Sequence, residues 1–364
     1  MDISSPLFKR KILRIIPFGI IWLFVGWMMI LIEYIAAGTN NPNPGVTIDL
    51  SVPVFLFASV AVVTVGLSVG SIEIFWLERF FRKMSFGRKL FYRFLVYGVF
   101  MFFMIVILYP VAASIETGTT PFDPDVWIRL GGYLTSINYL STLIQMAFSL
   151  FLCFFYLGIS ENVGDKVLVN FFTGKYHSPI EENRIFMFLD MKSSTTIAEE
   201  LGNIRYFDLL RDYYDELSES IILHKGEVYQ YVGDEIVISW NLEAGLENDN
   251  CVKCFFSMKE ALERNKDVYE KKYNFFPTFK AGLHFGPVTT GEIGALKKEI
   301  FYTGDVLNVT SRIQNLCNTY QMDLVISEEL AERLSLEGIE SKTLGEVSLK
   351  GRIAKLGILG IQES

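Results

Sequence analysis

Residues 184–195, RIFMFLDMKSST, contain the pattern of a buried strand that ends in an aspartate. The apolar run RIFMFLD is typical of a strand covered on both faces. Asp190 ends this run, and a short polar turn follows it. Residues 197–222 then have apolar side chains at helical spacing, so the stretch predicts a strand, a turn and one long helix.

A hairpin follows the predicted helix. EVYQYV (227–232) and EIVISW (235–240) are strand-like runs on either side of Gly233 and Asp234. Glycine and aspartate together are typical of a tight hairpin turn. We therefore expect Asp234 at the tip of a two-stranded hairpin.

The remaining signals alternate between helix and strand, which predicts an α+β domain with a mixed sheet and helices packed on it. In order, they indicate a helix from about Asn250 to Tyr273, strands at 278–286 and 299–303, a helix after Gly304, a strand at 322–327, a short helix and two final strands.

Asp190 and Asp234 are candidate metal ligands. Carboxylates at a strand end and at a hairpin tip converge if their strands are neighbours in the sheet, and Mg²⁺ prefers such hard oxygen ligands. Backbone N–H groups at the start of the helix after Asp190 would face phosphates. Taken singly, each aspartate is better explained as a turn former.

Asn308 and Arg312, in GDVLNVTSRIQ, are four residues apart on a predicted helix and so project from one face. An amide beside a guanidinium suits a polarised ribose and a phosphoryl group that gains negative charge in a transition state. A surface arginine with a capping asparagine is the alternative.

Four motifs occur together in this part of the chain: FLDMKSST, YVGDEIVISW, GLHFGPVTTGEIG and GDVLNVTSR. In order and spacing they resemble the catalytic domain of class III nucleotidyl cyclases, over about residues 184 to 361. The resemblance implies a ferredoxin-like α+β fold and a homodimer with composite active sites at its interface.

The resemblance also implies roles for individual residues. Asp190 and Asp234 match the aspartates that bind two Mg²⁺ or Mn²⁺ per site, with the backbone carbonyl of Met191 beside them. Asn308 and Arg312 match the transition-state pair, which the other protomer contributes. The matches proposed for phosphate contacts are Ser194 and Thr195 after the first strand and Lys350 in SLKGR.

Base recognition departs from the family pattern. Membrane adenylyl cyclases have a lysine and an aspartate where this chain has Thr278 and Phe301. Lys280 is two residues further along the same strand, hence on the same face, and could reach the base instead. We expect ATP as the substrate because of its prevalence in the family, with GTP as the alternative.

The first 160 residues predict a four-helix transmembrane bundle. Four apolar stretches are long enough to cross a bilayer. Residues 1–160 carry 11 Lys and Arg against 8 Asp and Glu, whereas residues 161–364 carry 22 against 33. The predicted spans are Ile15 to Ala36, Val52 to Trp76, Leu90 to Ala113 and Ser136 to Ile159.

Cations cluster before the first span and between the second and third, so the positive-inside rule predicts both termini and the C-terminal domain in the cytoplasm. We therefore expect an integral protein of the plasma (inner) membrane, in contact with lipid. A cleaved signal peptide is the alternative for the first span, but its apolar core is too long. Glu33 and Glu73 lie near the ends of their spans, where a carboxylate can snorkel to water or serve a function.

Residues 161–183 predict a juxtamembrane linker helix and turn, and residues 184–364 the catalytic domain. The linker could transmit movement or be a passive tether. The acidic net charge of −8 excludes a basic nucleic-acid binder. The CxxC spacing of Cys251 and Cys254 lies in a helical stretch without a second pair, which favours helix packing over zinc binding.

Two other functions fit parts of the pattern. VGDEI is similar to the GGDEF signature of diguanylate cyclases, but it lacks the second glycine and the final phenylalanine. A membrane receptor whose cyclase domain binds nucleotide without turnover is the non-enzymatic alternative. Retention of all four catalytic side chains counts against that alternative.

Overall fold

The computed structural model of the chain describes residues 6–37, 48–77, 80, 84–164, 167, 170, 173–295, 298–348 and 355–363. The chain forms two compact units, one containing Phe8–Val169 and the other Asn170–Ser364. We call them the N-terminal unit and the C-terminal unit.

The N-terminal unit is helical. Three of its helices, and a fourth that a π-helical turn continues, contain apolar stretches of 25 to 31 residues with mean hydropathy of 1.9 to 2.4, long enough to cross a membrane. Each of the four predicted spans coincides with one of these candidate membrane helices. The helices are α1 (Pro6–Ala37), α2 (Val52–Ile72), α3 (Phe86–Thr117), the short α4 (Pro124–Leu134) and α5 (Ile137–Val163).

Helix α4 lies in the connection between the third and fourth predicted spans. Asp123 caps it by accepting a hydrogen bond from the backbone N–H of Asp125 at 3.0 Å, and Pro124 occupies its first turn. Its 11 residues are too few to span a bilayer.

Glycines allow α1 and α2 to approach closely. A Cβ atom added to Gly66 would lie 2.8 Å from the carbonyl oxygen of Phe18 and from the Trp22 ring. Further along, the Trp27 indole donates a hydrogen bond to Ser59 Oγ at 2.9 Å. Small residues at such crossings are typical of helices packed in membranes.

Of the two alternatives that the sequence leaves open for Glu73, the structure excludes snorkelling to water. It begins a π-helical turn, Glu73–Leu77, and is fully buried. Arg93 Nη2 lies 2.5 Å from Glu73 Oε1, and the Tyr97 hydroxyl donates to Glu73 Oε2 at 3.1 Å. The sequence pattern missed this pairing because the partners are twenty residues apart on different helices. The side chain of Glu33, in α1, is outside the described residues.

The C-terminal unit is built on one eight-stranded mixed sheet. The strand order is β2-β3-β1-β4-β6-β8-β7, with β5 paired to β4. The strands are β1 (Ile180–Met191), β2 (Glu227–Val232), β3 (Glu235–Asn241), β4 (Phe279–Ile293), β5 (Glu299–Thr303), β6 (Leu324–Ser327), β7 (Ile339–Val347) and β8 (Leu356–Glu363).

The predicted hairpin and the predicted succession of strands and helices along the chain are confirmed, but two predicted helices are each broken. Gly202 has φ 74° and separates the first two helices of the unit, and Asn265 leaves helical geometry between the fourth and fifth. The helices are α6 (Ser194–Leu201), α7 (Asn203–Leu223), α8 (Leu242–Leu246), α9 (Asn250–Arg264), α10 (Lys266–Tyr273), α11 (Asp305–Tyr320) and α12 (Glu328–Ala331).

Central strand β1 separates two layers of apolar packing. Ile185, Met187 and Leu189 belong to the main core, together with residues of α7 and α9. Phe186 packs on the opposite face with Val306 of α11. The four cysteines are buried free thiols. Cys251 and Cys254 lie on α9 and pack in the main core, so the prediction of helix packing is confirmed.

We predict that Arg93→Gln destabilises the N-terminal unit by about 3–5 kcal/mol, because it leaves the Glu73 carboxylate buried without its cation. Thermal unfolding of the full chain in detergent micelles measures the loss. The double variant Glu73→Gln/Arg93→Gln should recover most of it.

Arg88→Gln is the matched control, because the side chain of Arg88 is exposed near the start of the same helix. Equal unfolding temperatures for Arg93→Gln and Arg88→Gln would show that the buried pair does not stabilise the unit.

Candidate functional site

Asp190 lies near the end of β1, between two neighbouring strands. In the register of the sheet it pairs with Glu235 of β3 on one side and with Lys280 of β4 on the other. Because side chains alternate along a strand, Asp190 is on the same face as Phe186, which α11 covers. Its carboxylate is therefore held at the edge of a packed layer.

Asp234 lies in the turn between β2 and β3. Gly233, just before it, has φ 64°, a conformation that favours glycine. The Tyr214 hydroxyl of α7 donates a hydrogen bond to the Gly233 carbonyl at 2.5 Å. A contact from the helical layer thus fixes the hairpin tip that carries Asp234.

The structure brings Asp190 and Asp234 together, as the sequence analysis expects. Burial first and then the Asp234 charge raise the pKa of Asp190, while Lys280 opposes the shift. Burial, followed by the charges of Asp190 and Asp234, raises the pKa of Glu235 to about 7. Three carboxylates therefore crowd one half-buried place, which favours either protonation or a bound cation.

Two donors contact Asp190. Lys280 Nζ lies 3.3 Å from Asp190 Oδ2, and Gln314 Nε2 of α11 lies 3.2 Å from the same oxygen. Lys280 also donates to Asn318 Oδ1 at 3.3 Å. Lys280, which the sequence predicts to contact the base, thus has its ammonium group beside Asp190, a predicted metal ligand.

The residues are suited to holding divalent cations. Among the described residues no three His, Cys, Asp or Glu side chains form a complete cation cage, but Mg²⁺ commonly takes one or two carboxylates and completes its shell with phosphates and water. Among the residues that the structure describes, the buried Tyr213 hydroxyl has no hydrogen-bond partner, and its pKa is raised by burial first and then by neighbouring groups that include Asp190 and Asp234. Converging carboxylates in a half-buried place are what a hydrated divalent ion can satisfy.

The turn after Asp190 has the predicted position. The backbone N–H of Lys192 donates to the Thr278 carbonyl at 2.8 Å, and Ser193 adopts φ 56° before α6 begins at Ser194. Met191 is buried, and Thr195 is exposed in the first turn of α6. Ser194 is hydrogen-bonded to Tyr206.

Asn308 and Arg312 lie on the side of α11 away from Asp190. Gln314, two residues beyond Arg312, points into the sheet, and two helical residues correspond to a rotation of about 200°. Asn308 is exposed, and neither it nor Arg312 has a hydrogen bond or ion pair with a described residue. One chain therefore does not bring this pair to the aspartates.

The residues predicted for the base are also separated within one chain. Phe301 of β5 pairs with Gly291, eleven residues along β4 from Lys280, the partner of Asp190. Thr278 is exposed just before β4, at the Asp190 end. Thr278 and Phe301 can therefore contact one base only if two chains contribute. Lys350 lies outside the described residues.

Sequence reasoning missed Glu235 and Gln314 as members of the site. Glu235 could have been found from the hairpin register, because it is the first residue after Asp234 and pairs with Asp190. Gln314 is a buried polar residue among the apolar residues of α11. A polar residue on an apolar helical face is the signal that identifies it.

Comparisons with known proteins identify the family of the C-terminal unit. Residues 177–360 match the family model for the adenylate and guanylate cyclase catalytic domain. Adenylate cyclase 2 of Rhizobium meliloti (strain 1021) is 33% identical over 208 residues, which cover 57% of each chain. Adenylate cyclase 1 of the same organism is 28% identical over 178 residues, 47% of this chain and 26% of that one. The chain thus spans 57% or less of the length of these two relatives.

Among solved structures, a bacterial light-regulated adenylyl cyclase superposes with a TM-score of 0.51 at 18% identity, covering 62% of this chain and 64% of that one. At this identity the likeness concerns the fold. The family match covers half of this chain and contains both aspartates and the Asn308 and Arg312 pair. The chain belongs to the class III adenylate and guanylate cyclase family, with four candidate membrane spans preceding its catalytic domain.

Proposed function

We propose that this chain is a membrane-bound adenylyl cyclase that converts ATP to 3′,5′-cyclic AMP and pyrophosphate. The observation that carries the proposal is the convergence of Asp190 and Asp234 at the ends of β1 and the β2–β3 hairpin. Three named relatives, from Rhizobium meliloti and Anabaena cylindrica, are adenylate cyclases, which favours ATP over GTP.

In this reaction the ribose 3′-oxygen attacks the α-phosphorus of the nucleotide and pyrophosphate leaves. Asp190 and Asp234, with the Met191 carbonyl, would hold two Mg²⁺ or Mn²⁺ ions. These ions, when bound, supply a Lewis acid for the 3′-hydroxyl and positive charge for the triphosphate. Asn308 orients the ribose, and Arg312 stabilises the charge that develops on the phosphoryl oxygens. Ser194, Thr195 and Lys350 are the proposed phosphate contacts.

The proposed active unit is a homodimer with two composite sites. Asn308 and Arg312 point away from the aspartates of their own chain, so they can serve only the aspartates of a second copy. Ile204 and Phe207, near the start of α7, are 82% and 67% exposed. Apolar side chains so exposed on a folded unit are typical of a surface that another protein covers.

The proposed location is the plasma (inner) membrane, with both termini and the C-terminal unit in the cytoplasm. Lys9, Arg10, Lys11 and Arg14 precede or begin the first span, which supports this orientation by the positive-inside rule. The four spans would contact lipid directly.

The first test is a turnover assay of the full chain with ATP and GTP side by side, in Mg²⁺ and in Mn²⁺. We expect cyclic AMP from ATP, and a loss of about 100-fold or more in Asp234→Ala, because the site then keeps one of its two proposed metal-binding carboxylates.

Asp267→Ala is the control, because Asp267 is an exposed aspartate of α10. Undiminished turnover in Asp234→Ala contradicts the metal assignment. Cyclic GMP as the main product favours the guanylyl alternative, and nucleotide binding without product favours the non-catalytic receptor.

The second test asks whether the sites are composite. Asp234→Ala and Asn308→Ala should each be inactive alone, whereas co-expression should restore about a quarter of the wild-type activity. Random pairing makes half of the dimers mixed, and each mixed dimer has one intact site out of two.

Co-expression of Asp190→Ala with Asp234→Ala is the control, because both changes affect the same half-site and no intact site can form. If co-expressed Asp234→Ala and Asn308→Ala show no recovery of activity although both chains are folded, the active site lies within one chain.

The third test concerns pH. The folded-state pKa of Glu235 is raised above its ordinary value by burial and by two neighbouring carboxylates. The stabilisation from its protonated form is therefore present at low pH and is lost as pH rises through about 7. In a chelator, the unfolding temperature of the C-terminal unit should fall between pH 5 and pH 8, and Glu235→Gln should reduce that fall by about 2–4 °C.

Calorimetry of the full chain in detergent micelles measures this difference. Glu243→Gln changes an exposed glutamate of α8 and should leave the fall unchanged. If the unfolding temperature falls equally in wild type and in Glu235→Gln, Glu235 does not titrate between pH 5 and pH 8.

A further inference from the structure

Lys280 is a buried lysine, only 9% exposed, beside the proposed metal site. Lysine is almost never buried without a partner. Its ammonium group has two partners, Asp190 Oδ2 and Asn318 Oδ1, each at 3.3 Å. A fixed positive charge therefore lies on one of the carboxylates that the proposed function assigns to divalent ions.

The negative charge around Asp190 explains why the ammonium group of Lys280 lies there. Asp190, Asp234 and Glu235 are close enough to shift one another's pKa values, and the described contacts show no second ammonium or guanidinium group on Asp190. Without a cation the three carboxylates repel one another in a half-buried place. Gln314 contributes a hydrogen bond to Asp190 but no charge.

A divalent ion and the ammonium group cannot both lie close to Asp190 Oδ2 without strong repulsion. Asn318 Oδ1 is already within reach of Lys280 Nζ, so the ammonium group has a partner to keep when it leaves the carboxylate. The side chain thus has two positions available with little loss of hydrogen bonding.

We propose that Lys280 is a resident counter-cation, which holds Asp190 in the metal-free protein and withdraws to Asn318 when divalent ions bind. This inference rests on the proposed function of Asp190 and Asp234. It makes Lys280 a positioning residue that sets how much free Mg²⁺ or Mn²⁺ the site needs. The lysine favours the metal-free state, so removing it should tighten ion binding.

The test measures Mn²⁺ binding to the full chain in detergent micelles by electron paramagnetic resonance of free Mn²⁺, without nucleotide. Lys280→Met should bind Mn²⁺ at least 10-fold more tightly than wild type. The same variant should unfold at a lower temperature than wild type in a chelator, and Mn²⁺ should raise its unfolding temperature by more.

Two further variants separate charge competition from a general effect. Lys280→Arg keeps the positive charge and should bind Mn²⁺ within about threefold of wild type. Lys192→Met removes a nearby positive charge that is paired with Asp323 instead of Asp190, and should also stay within about threefold.

The outcomes are distinct. Unchanged or weaker Mn²⁺ binding in Lys280→Met, with wild type binding normally, overturns the role of Lys280 and leaves the metal site intact. Equal tightening in Lys192→Met also overturns it, because the effect would then be long-range. If wild type and Asp234→Asn bind Mn²⁺ equally weakly, the metal assignment itself fails, and the inference fails with it.

Discussion

Repulsion among Asp190, Asp234 and Glu235 is the constraint on which the C-terminal unit depends. Like charges in a half-buried place do not come together by their own attraction, so the backbone must hold them. Strand β1 pairs in continuous register with β3 over seven residues and with β4 over twelve. These two ladders, with apolar packing on both faces of β1, provide the rigidity that keeps the carboxylates in place.

The N-terminal unit contains a buried carboxylate in the opposite situation. Glu73 has the guanidinium group of Arg93 and the hydroxyl of Tyr97, so its charge is balanced inside the unit. In the C-terminal unit, Lys280 provides one positive charge for three acidic side chains. The Glu73–Arg93 pair is balanced in charge and joins the turn after α2 to α3. The carboxylates around Lys280 retain excess negative charge, and for that reason they are suited to binding cations.

Local sequence patterns predicted much of this fold. Apolar length identified four spans, and turn residues identified the hairpin that carries Asp234. What they could not predict depends on contacts between distant residues or on single backbone conformations. Gly202 breaks a helix whose apolar spacing continues across it, because its φ is positive. The pairing of Lys280 with Asp190 joins residues ninety positions apart and depends on the register of β1 and β4.

The excess negative charge also links metal binding to assembly. Residues 161–364 carry a net charge of −11, which repels a nucleotide triphosphate unless positive charge is supplied locally. In the proposed dimer that charge has three sources, the divalent ions on the aspartates, the proposed phosphate contact Lys350, and Arg312 of the second copy. Each aspartate cluster faces away from Arg312 of its own chain, so a single chain has the cation ligands without the arginine. Dimer formation and ion binding would then complete one charge balance, and neither half-site could neutralise the substrate alone.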